Sequence, residues 1–398
     1  MLFKNFFKKE EKNTNFKPNN LFSKTFYQSL SGPIWSGRDY TNIANECYVK
    51  NVVANRCINI VANSASSVKL KVRNKNTGAI LNEHPLAKLL KKPNVFLNGN
   101  DFFKSIYIYK ILAGNVFILA TFENDNNFQN PLELFLLRPD KISILGSKNG
   151  FPLAYKYKNN TIDKVFYVDQ TNGKSEILHI KNFHPTNDWY GLSEVEPASY
   201  SIDQHNEASK WNQSMLQNGA RPSGALIVKA DGNCDGYLTD EQFERLKDQL
   251  DNEYSGSENA GKPLLLEGGL DWKEMSLSPK DMDFLEIKYS TARDIALSFG
   301  VPSQLLGIPG DNTYNNFAEA RLFLWEQTIL PLVDSILSNF NSWLCEMYED
   351  DLEIFYDINS ISALSSRRES FWNNINNATF LTNEEKKDIL NVKFNLGK

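Results

Sequence analysis

Hydrophobic residues in the first half of the chain follow two different periods. Residues 43–66 have apolar side chains at helical spacing, which predicts a helix. The apolar positions of that helix are Val49, Val53, Cys57, Ile60 and Val61. Short alternating runs predict strands at 68–72, 116–122, 132–137, 142–145, 155–157 and 177–180. Residues 102–112 predict a second helix, ending at Gly114. Residues 41–190 are therefore predicted to form an α+β unit with its own core.

The segment that follows, residues 192–218, predicts a long helix with unusually few apolar residues. It contains no glycine, and its one proline is Pro197 near the start. About 27 helical residues would span about 40 Å. A helix that is polar on most faces cannot be the centre of a monomer's core. It either bridges domains or packs against copies of itself.

The second half predicts a small insert, two further long helices and a tail. In the insert, residues 221–279, we expect strands at 225–228, 264–266 and 272–275 and a helix at 240–253. A helix over 281–299 and a loop rich in Gly, Asn and Pro come next. Asn316 with Glu319, and Thr382 with Glu385, have capping-box spacing, which predicts two helix starts. Pro331 predicts a kink in the amphipathic helix over residues 317–350.

Composition narrows the class of protein. The chain has 398 residues and a formal net charge of −5, whereas a protein that grips a DNA backbone is normally basic. Four cysteines and four histidines lack metal-ligand spacing, so we expect a reduced protein without a structural metal or cofactor. No stretch approaches the ~20 apolar residues that span a bilayer. Residues 1–40, with mixed Phe and Lys, are no secretion signal; a flexible arm is favoured over a short amphipathic anchor.

Two segments have the spacing of ligand-binding motifs. Residues 231–239 match the opening of an EF-hand calcium loop, but the twelfth position is Gln242 instead of a bidentate glutamate. A capping box of Thr239 and Gln242 explains the same residues and is favoured. Residues 256–262 have P-loop spacing, but Pro263 follows and no helix N-terminus is predicted to receive a phosphate. We therefore expect no enzyme activity. Catalytic residues that are distant in the sequence and meet only in the folded protein are the open alternative.

An ordered series of short motifs resembles the HK97-type phage portal proteins, a family shared with gene transfer agents. The resemblance covers about residues 48–398, and the run Ile295–Pro302, with the sequence IALSFGVP, is its most diagnostic part. The other matching runs are 84–94 (HPL…LL…PN), 112–115 (LAGN), 176–180 (EILHI), 190–193 (YGLS), 218–222 (NGARP), 259–262 (NAGK), 305–307 (LLG), 313–316 (TYNN), 328–331 (TILP) and 383–384 (NE).

The resemblance implies a ring, usually of twelve subunits, at one capsid vertex. It implies a portal fold with an α+β wing (41–190), stem helices (191–220 and 280–300), a small α/β clip (221–279) and a kinked wing helix (317–350). Residues 301–316 would include a tunnel loop facing DNA, and 351–398 a helical crown. The implied DNA-facing residues are Asp311, Asn312, Thr313, Tyr314 and Asn315. The implied docking residues of the clip are Asp240, Glu241, Glu244, Arg245 and Asp248.

The implied partners are other copies of this chain, the major capsid protein, the terminase large subunit, the head–tail adaptor and double-stranded DNA without sequence specificity. The implied place is the portal vertex of a virion assembled in a bacterial cytoplasm. A capsid-associated scaffold or membrane-surface protein without a DNA channel is the alternative. A nucleotide hydrolase that uses the loop at Gly256 is a third and weaker possibility.

Overall fold

The computed structural model describes residues 39–123, 129–146, 152–161, 163–217, 224–228, 239–253, 270–274, 284–311, 314–348, 350–378 and 380–394. Within these ranges the chain mixes helices and strands, which confirms the predicted α+β class. Residues 1–38 of the predicted arm, the EF-like residues 231–238, the P-loop-like residues 256–262 and the predicted strand 264–266 lie outside the described residues.

Helices make up most of the described residues after residue 190. In chain order they are α1 Tyr40–Ile43, α2 Val52–Ser66, α3 Pro85–Lys91, α4 Gly99–Ala113, α5 Val195–Gln217, α6 Asp240–Glu253, α7 Phe284–Ser298, α8 Tyr314–Leu324, α9 Leu330–Trp343, α10 Ser365–Asn377 and α11 Asn383–Phe394. Two π-helical segments, Ala44–Val49 and Trp325–Ile329, follow α1 and α8. No helix among the described residues is long and apolar enough to cross a membrane.

The strands form small antiparallel sheets. They are β1 Leu70–Asn74, β2 Asn115–Thr121, β3 Glu133–Leu137, β4 Ile142–Gly146, β5 Pro152–Lys158, β6 Asp163–Tyr167, β7 Ile177–Lys181, β8 Gly224–Val228, β9 Leu270–Glu274 and β10 Leu352–Tyr356. The sheet orders are β3–β2–β7, β4–β5–β6, β1–β10 and β8–β9. The last pair, with α6, falls in the segment expected to be the clip. Through β10, residues 352–356 of the predicted tail pair with β1.

One large core holds the α+β unit and the root of the long helices together. It joins α2, α4, α7 and α9, with Ile58, Phe102, Ile295 and Phe340 fully buried. A second, smaller cluster lies between the two three-stranded sheets and is centred on Phe117. Burial of such side chains is worth about 1.5–3 kcal/mol each. The core therefore fixes where α5 and α7 leave the α+β unit.

The predicted helix over 43–66 is interrupted at residues 50–51. The π-helical segment ends at Val49, and Asn51 adopts an extended conformation instead of continuing the helix. Its side chain accepts a hydrogen bond from the Ala54 amide at 2.9 Å, so it begins α2 as an N-cap. Val49 is consequently 72% exposed and does not share the buried face of α2.

The helix that follows the loop also begins earlier than predicted. The predicted N-cap, Asn316, is the third residue of α8, because that helix already begins at Tyr314. Pro331 lies at the start of α9, directly after the π-helical turn, where the Leu330 amide bonds to the carbonyl of Trp325. The helical pattern thus changes where proline removes a backbone donor. The two other capping predictions are confirmed: Gln242 N lies 3.4 Å from Thr239 Oγ1, and Thr382 N lies 2.8 Å from Glu385 Oε2.

Candidate functional site

The helix pair α5 and α7, which was expected to form the stem and is called the stem below, begins at a close contact between two glycines. Gly114 ends α4 in the left-handed conformation, with φ of 66°, and Gly191 lies against it. A β-carbon added at Gly191 would lie 2.2 Å from the Gly114 carbonyl oxygen and 2.5 Å from the Asn182 amide nitrogen. Only glycine lets these backbones approach so closely. The chain therefore enters α5 at a position fixed by α4.

The side-chain amide of Asn115 holds the same contact from the other side. Its Oδ1 accepts from the Gly191 amide at 2.7 Å, and its Nδ2 donates to the Gly191 carbonyl at 3.1 Å. His179 Nε2 donates to the same Oδ1 at 3.0 Å, and the imidazole stacks on Phe117 with ring centroids 4.3 Å apart. Burial lowers the pKa of His179 to about 3, so the ring is neutral at physiological pH.

Two groups at this junction are ionisable and largely buried. Lys110 Nζ donates to Asn182 Oδ1 at 2.7 Å. Desolvation lowers the pKa of Lys110 and raises the pKa of Glu194, while each charge favours the charged form of the other. The two opposite charges thus lie near each other, one in the last turn of α4 and the other on the residue just before α5.

Three hydroxyl groups fasten the ends of the stem helices. Ser193 Oγ donates to the Leu112 carbonyl at 2.8 Å, and Ser298 Oγ donates to the Glu194 carbonyl at 3.0 Å. Thr328 Oγ1 donates to the carbonyl of Gly300, a residue with φ of 62°, at 2.8 Å. The start of α5, the end of α7 and the π-helical segment are thus joined in one place. Several of the short motifs in the sequence meet at this root.

The first half of α5 is buried within its own chain, which corrects the prediction that this helix cannot be buried in one subunit. Ile202 is 2% exposed, and the polar residues His205 and Asn206 are also buried. Asn51 Nδ2 lies 3.0 Å from Asn206 Oδ1 and 3.3 Å from His205 Nδ1. Because these polar groups bond to the cap of α2, they are buried without being left unpaired.

The second half of the stem is a pair of antiparallel helices in which the exposed side of α5 is polar, whereas α7 exposes Leu285 and Ile287. At its far end Trp211 stacks on Phe284 with ring centroids 4.2 Å apart, which holds α5 against α7. Gln204, Glu207 and Lys210 are exposed on α5. Lys210 is paired with Glu207 at 2.6 Å. Beyond the core, α5 therefore presents a charged and polar surface.

The residues expected to face DNA are only partly described. Asp311 is bound by Arg293 of α7 through two guanidinium nitrogens, with Nε–Oδ2 at 3.1 Å and Nη2–Oδ1 at 3.0 Å. Hydrogen bonds from Arg293 and then Ser303 lower the pKa of Asp311. Asn312 and Thr313 lie outside the described residues, and Tyr314 and Asn315 are the first residues of α8. Asp311 therefore has a structural partner that the sequence did not indicate.

The residues expected to dock a partner lie together on α6. Every one of them is exposed, and they occupy the first nine residues of the helix. They are Asp240, Glu241, Glu244, Arg245 and Asp248. The i, i+4 spacing of Asp240, Glu244 and Asp248 puts three carboxylates on one side of the helix. Within the described part of the chain, no group of three or more His, Cys, Asp or Glu side chains could hold a metal ion.

Comparison with known proteins gives a consistent result. The family described as "Phage portal protein" matches residues 52–391. A protein of Rickettsia felis described as uncharacterized is 47% identical over 98% of each chain. The portal protein of Enterobacteria phage HK97 is 22% identical over 79% of this chain and 72% of its own. A chain in the neck of a native gene transfer agent (GTA) particle, computed with C12 symmetry, is 37% identical with a TM-score of 0.67, over 90% of this chain and 95% of that one.

Proposed function

Because this chain belongs to the phage portal protein family, we propose that it forms a ring-shaped DNA channel at one vertex of a capsid. DNA would enter through the ring during packaging and leave through it during ejection. A related neck that was computed with C12 symmetry supports a ring of twelve copies. The alternative of a scaffold or membrane-surface protein is not favoured, since the family match extends over residues 52–391.

The two-helix stem carries the proposal. Its root is fixed by the glycine contact and the three hydroxyl groups, so α5 and α7 project as one unit from the core. Beyond the core the exposed residues of α5 are polar and include the carboxylate of Glu207. A channel wall that is not basic lets DNA slide, because few phosphates are neutralised by it.

Light scattering on the purified full-length chain tests the ring. We expect a mass near twelve times 45.4 kDa and a head-to-tail closed assembly. A chain that stays monomeric or forms only dimers at high concentration would contradict the proposal.

The loop between α7 and α8 would contact DNA through Asn312, Thr313 and Tyr314. Asn312→Lys should add one positive charge per subunit at the channel and slow DNA passage, and the effect should weaken at higher salt. Asn172→Lys, in an exposed turn of the α+β unit, is the matched control. A substitution at Asp311 is unsuitable for this test, because it would also remove the ion pair with Arg293. Packaging at the wild-type rate in low salt by Asn312→Lys particles would exclude this loop from DNA contact.

The exposed acidic side of α6 would dock the terminase large subunit during packaging and the head–tail adaptor afterwards. The α+β unit and the tail would contact the major capsid protein, and assembly would take place in the bacterial cytoplasm. Glu241→Lys with Glu244→Lys should weaken terminase binding without changing ring mass, because like charges across an interface suppress association.

We also propose that the chain has no catalytic activity of its own. ATP hydrolysis by the purified chain that is lost in Lys262→Ala would contradict this.

A further inference from the structure

An apolar groove opens between the end of α7 and the start of α8. It has a volume of about 540 Å³, and its walls include Leu297, Pro302, Ala320 and Phe323. Leu297 is 78% exposed and Phe323 is 56% exposed. An apolar patch bordered by polar residues marks a surface where another molecule docks.

The edge of this groove is acidic. Asp294 precedes Leu297 by one helical turn, and Glu319 lines the groove from α8. Both side chains are exposed, and neither forms an ion pair with any side chain in the described part of the molecule. A partner for this surface should therefore combine apolar side chains with a positive charge.

The exposed surface at the start of α2, called the α2 face here, has that combination and consists of Val49, just before the helix, with Val52 and Arg56. Val49 is 72% exposed and Val52 is 78% exposed, on either side of the Asn51 cap. Arg56 follows Val52 by four residues, so the two side chains share a face of α2. Arg56 is exposed, and no ion pair to it is found among the described residues.

The groove and the α2 face lie on the sides of α7 and α2 that are not buried in the core. α2 and α7 bury their other sides in the same cluster, where Ile58 and Val61 of α2 lie with Ile295 and Ala296 of α7. Val52, Arg56 and Leu297 nevertheless remain exposed in the single chain, so the α2 face does not cover the groove there. Two unlike, complementary surfaces on one molecule are what a head-to-tail ring requires.

We propose that, in the ring, the α2 face of one copy docks into the α7–α8 groove of the next copy. Val49 and Val52 cover Leu297 and Phe323, and Arg56 pairs with the carboxylates at the groove edge. This inference rests on the proposed function, because it identifies the contact that closes that ring.

Charge reversal tests the contact. Arg56→Glu should reduce the fraction of chain in the ring by about tenfold or more, because it places like charges together. Combining it with Asp294→Arg and Glu319→Arg should restore the ring. Lys88→Glu, which makes the same charge change on the exposed side of α3, should assemble like the wild type. Thermal unfolding of each variant shows whether the subunit still folds.

Cysteine cross-linking gives a second measurement that does not depend on charge. In a Cys234→Ser background, Val52→Cys with Leu297→Cys should give a ladder of cross-linked oligomers under oxidation. Either single variant should give none, since Cys47, Cys57 and Cys345 are buried. A wild-type ring that tolerates Arg56→Glu and forms no ladder would overturn this contact and leave the proposed function standing. A wild-type chain that forms no ring would contradict the proposed function itself.

Discussion

Replacing Gly191 with alanine should destabilise the root of the stem through a steric clash alone. The new β-carbon would lie 2.2 Å from the Gly114 carbonyl oxygen and within 2.8 Å of two backbone atoms of Asn182. A carbon and an oxygen in contact need more than 3 Å, so the two backbones must separate by about 1 Å. Overpacking of this kind costs about 1–3 kcal/mol, and the upper end applies because backbone atoms cannot rotate away.

Chemical denaturation of Gly191→Ala and wild type measures this cost. Gly173→Ala is the matched control: its φ is 73°, but nothing lies within 4 Å of the added carbon. The control should lose only about 1 kcal/mol, from the left-handed conformation. Because Asn115 bonds to both backbone groups of Gly191, the variant should also weaken that pair of bonds. A Gly191→Ala protein within about 1 kcal/mol of wild type would refute the close contact, since overpacking costs at least that much.

Three further predictions concern polar groups near the stem. Arg293→Gln removes the main cause of the low pKa of Asp311, so that pKa should rise toward its usual range. Proteolysis between residues 301 and 316 should become faster, while the melting temperature stays unchanged. His179 has a folded pKa of about 3, below its unfolded value of 6.5. The stability it contributes is therefore present above about pH 6.5 and is lost as the pH falls toward 3. Between pH 6.5 and 3, the urea midpoint of His179→Gln should decrease less than the midpoint of the wild type. Asn51→Ala should lower the free energy of unfolding by about 2 kcal/mol, because it removes a cap and leaves buried amide groups unpaired. Asn98→Ala, at the exposed cap of α4, should lower it by only about 1 kcal/mol. Urea denaturation of both variants measures the difference.

Local patterns predicted the α+β class and most element positions. Alternating runs gave β2 and β7 within one residue, and Gly114 correctly ended α4. The strands β6 and β10 were missed for different reasons. The β6 sequence begins with Asp163 and Lys164 and has little apolar alternation. The β10 sequence does alternate, but its partner β1 lies about 280 residues earlier, a pairing that no local pattern indicates.

The candidate site was harder to predict because its contacts are long-range. The apolar pattern of the sequence predicted that α5 is too polar for a core. His205 and Asn206 are nevertheless buried, because they form hydrogen bonds with Asn51, over 150 residues away. The Arg293–Asp311 pair joins a helix to a loop that was expected to face DNA. A polar residue can be buried or exposed depending on partners in space, and sequence spacing does not supply those partners.

Electron microscopy of the purified full-length chain tests the central claim most directly. The account predicts top views of a closed ring with an open centre wide enough for duplex DNA, and side views in which the paired α5 and α7 helices line that opening. Open filaments, compact dimers or a ring whose centre is filled by protein would contradict it.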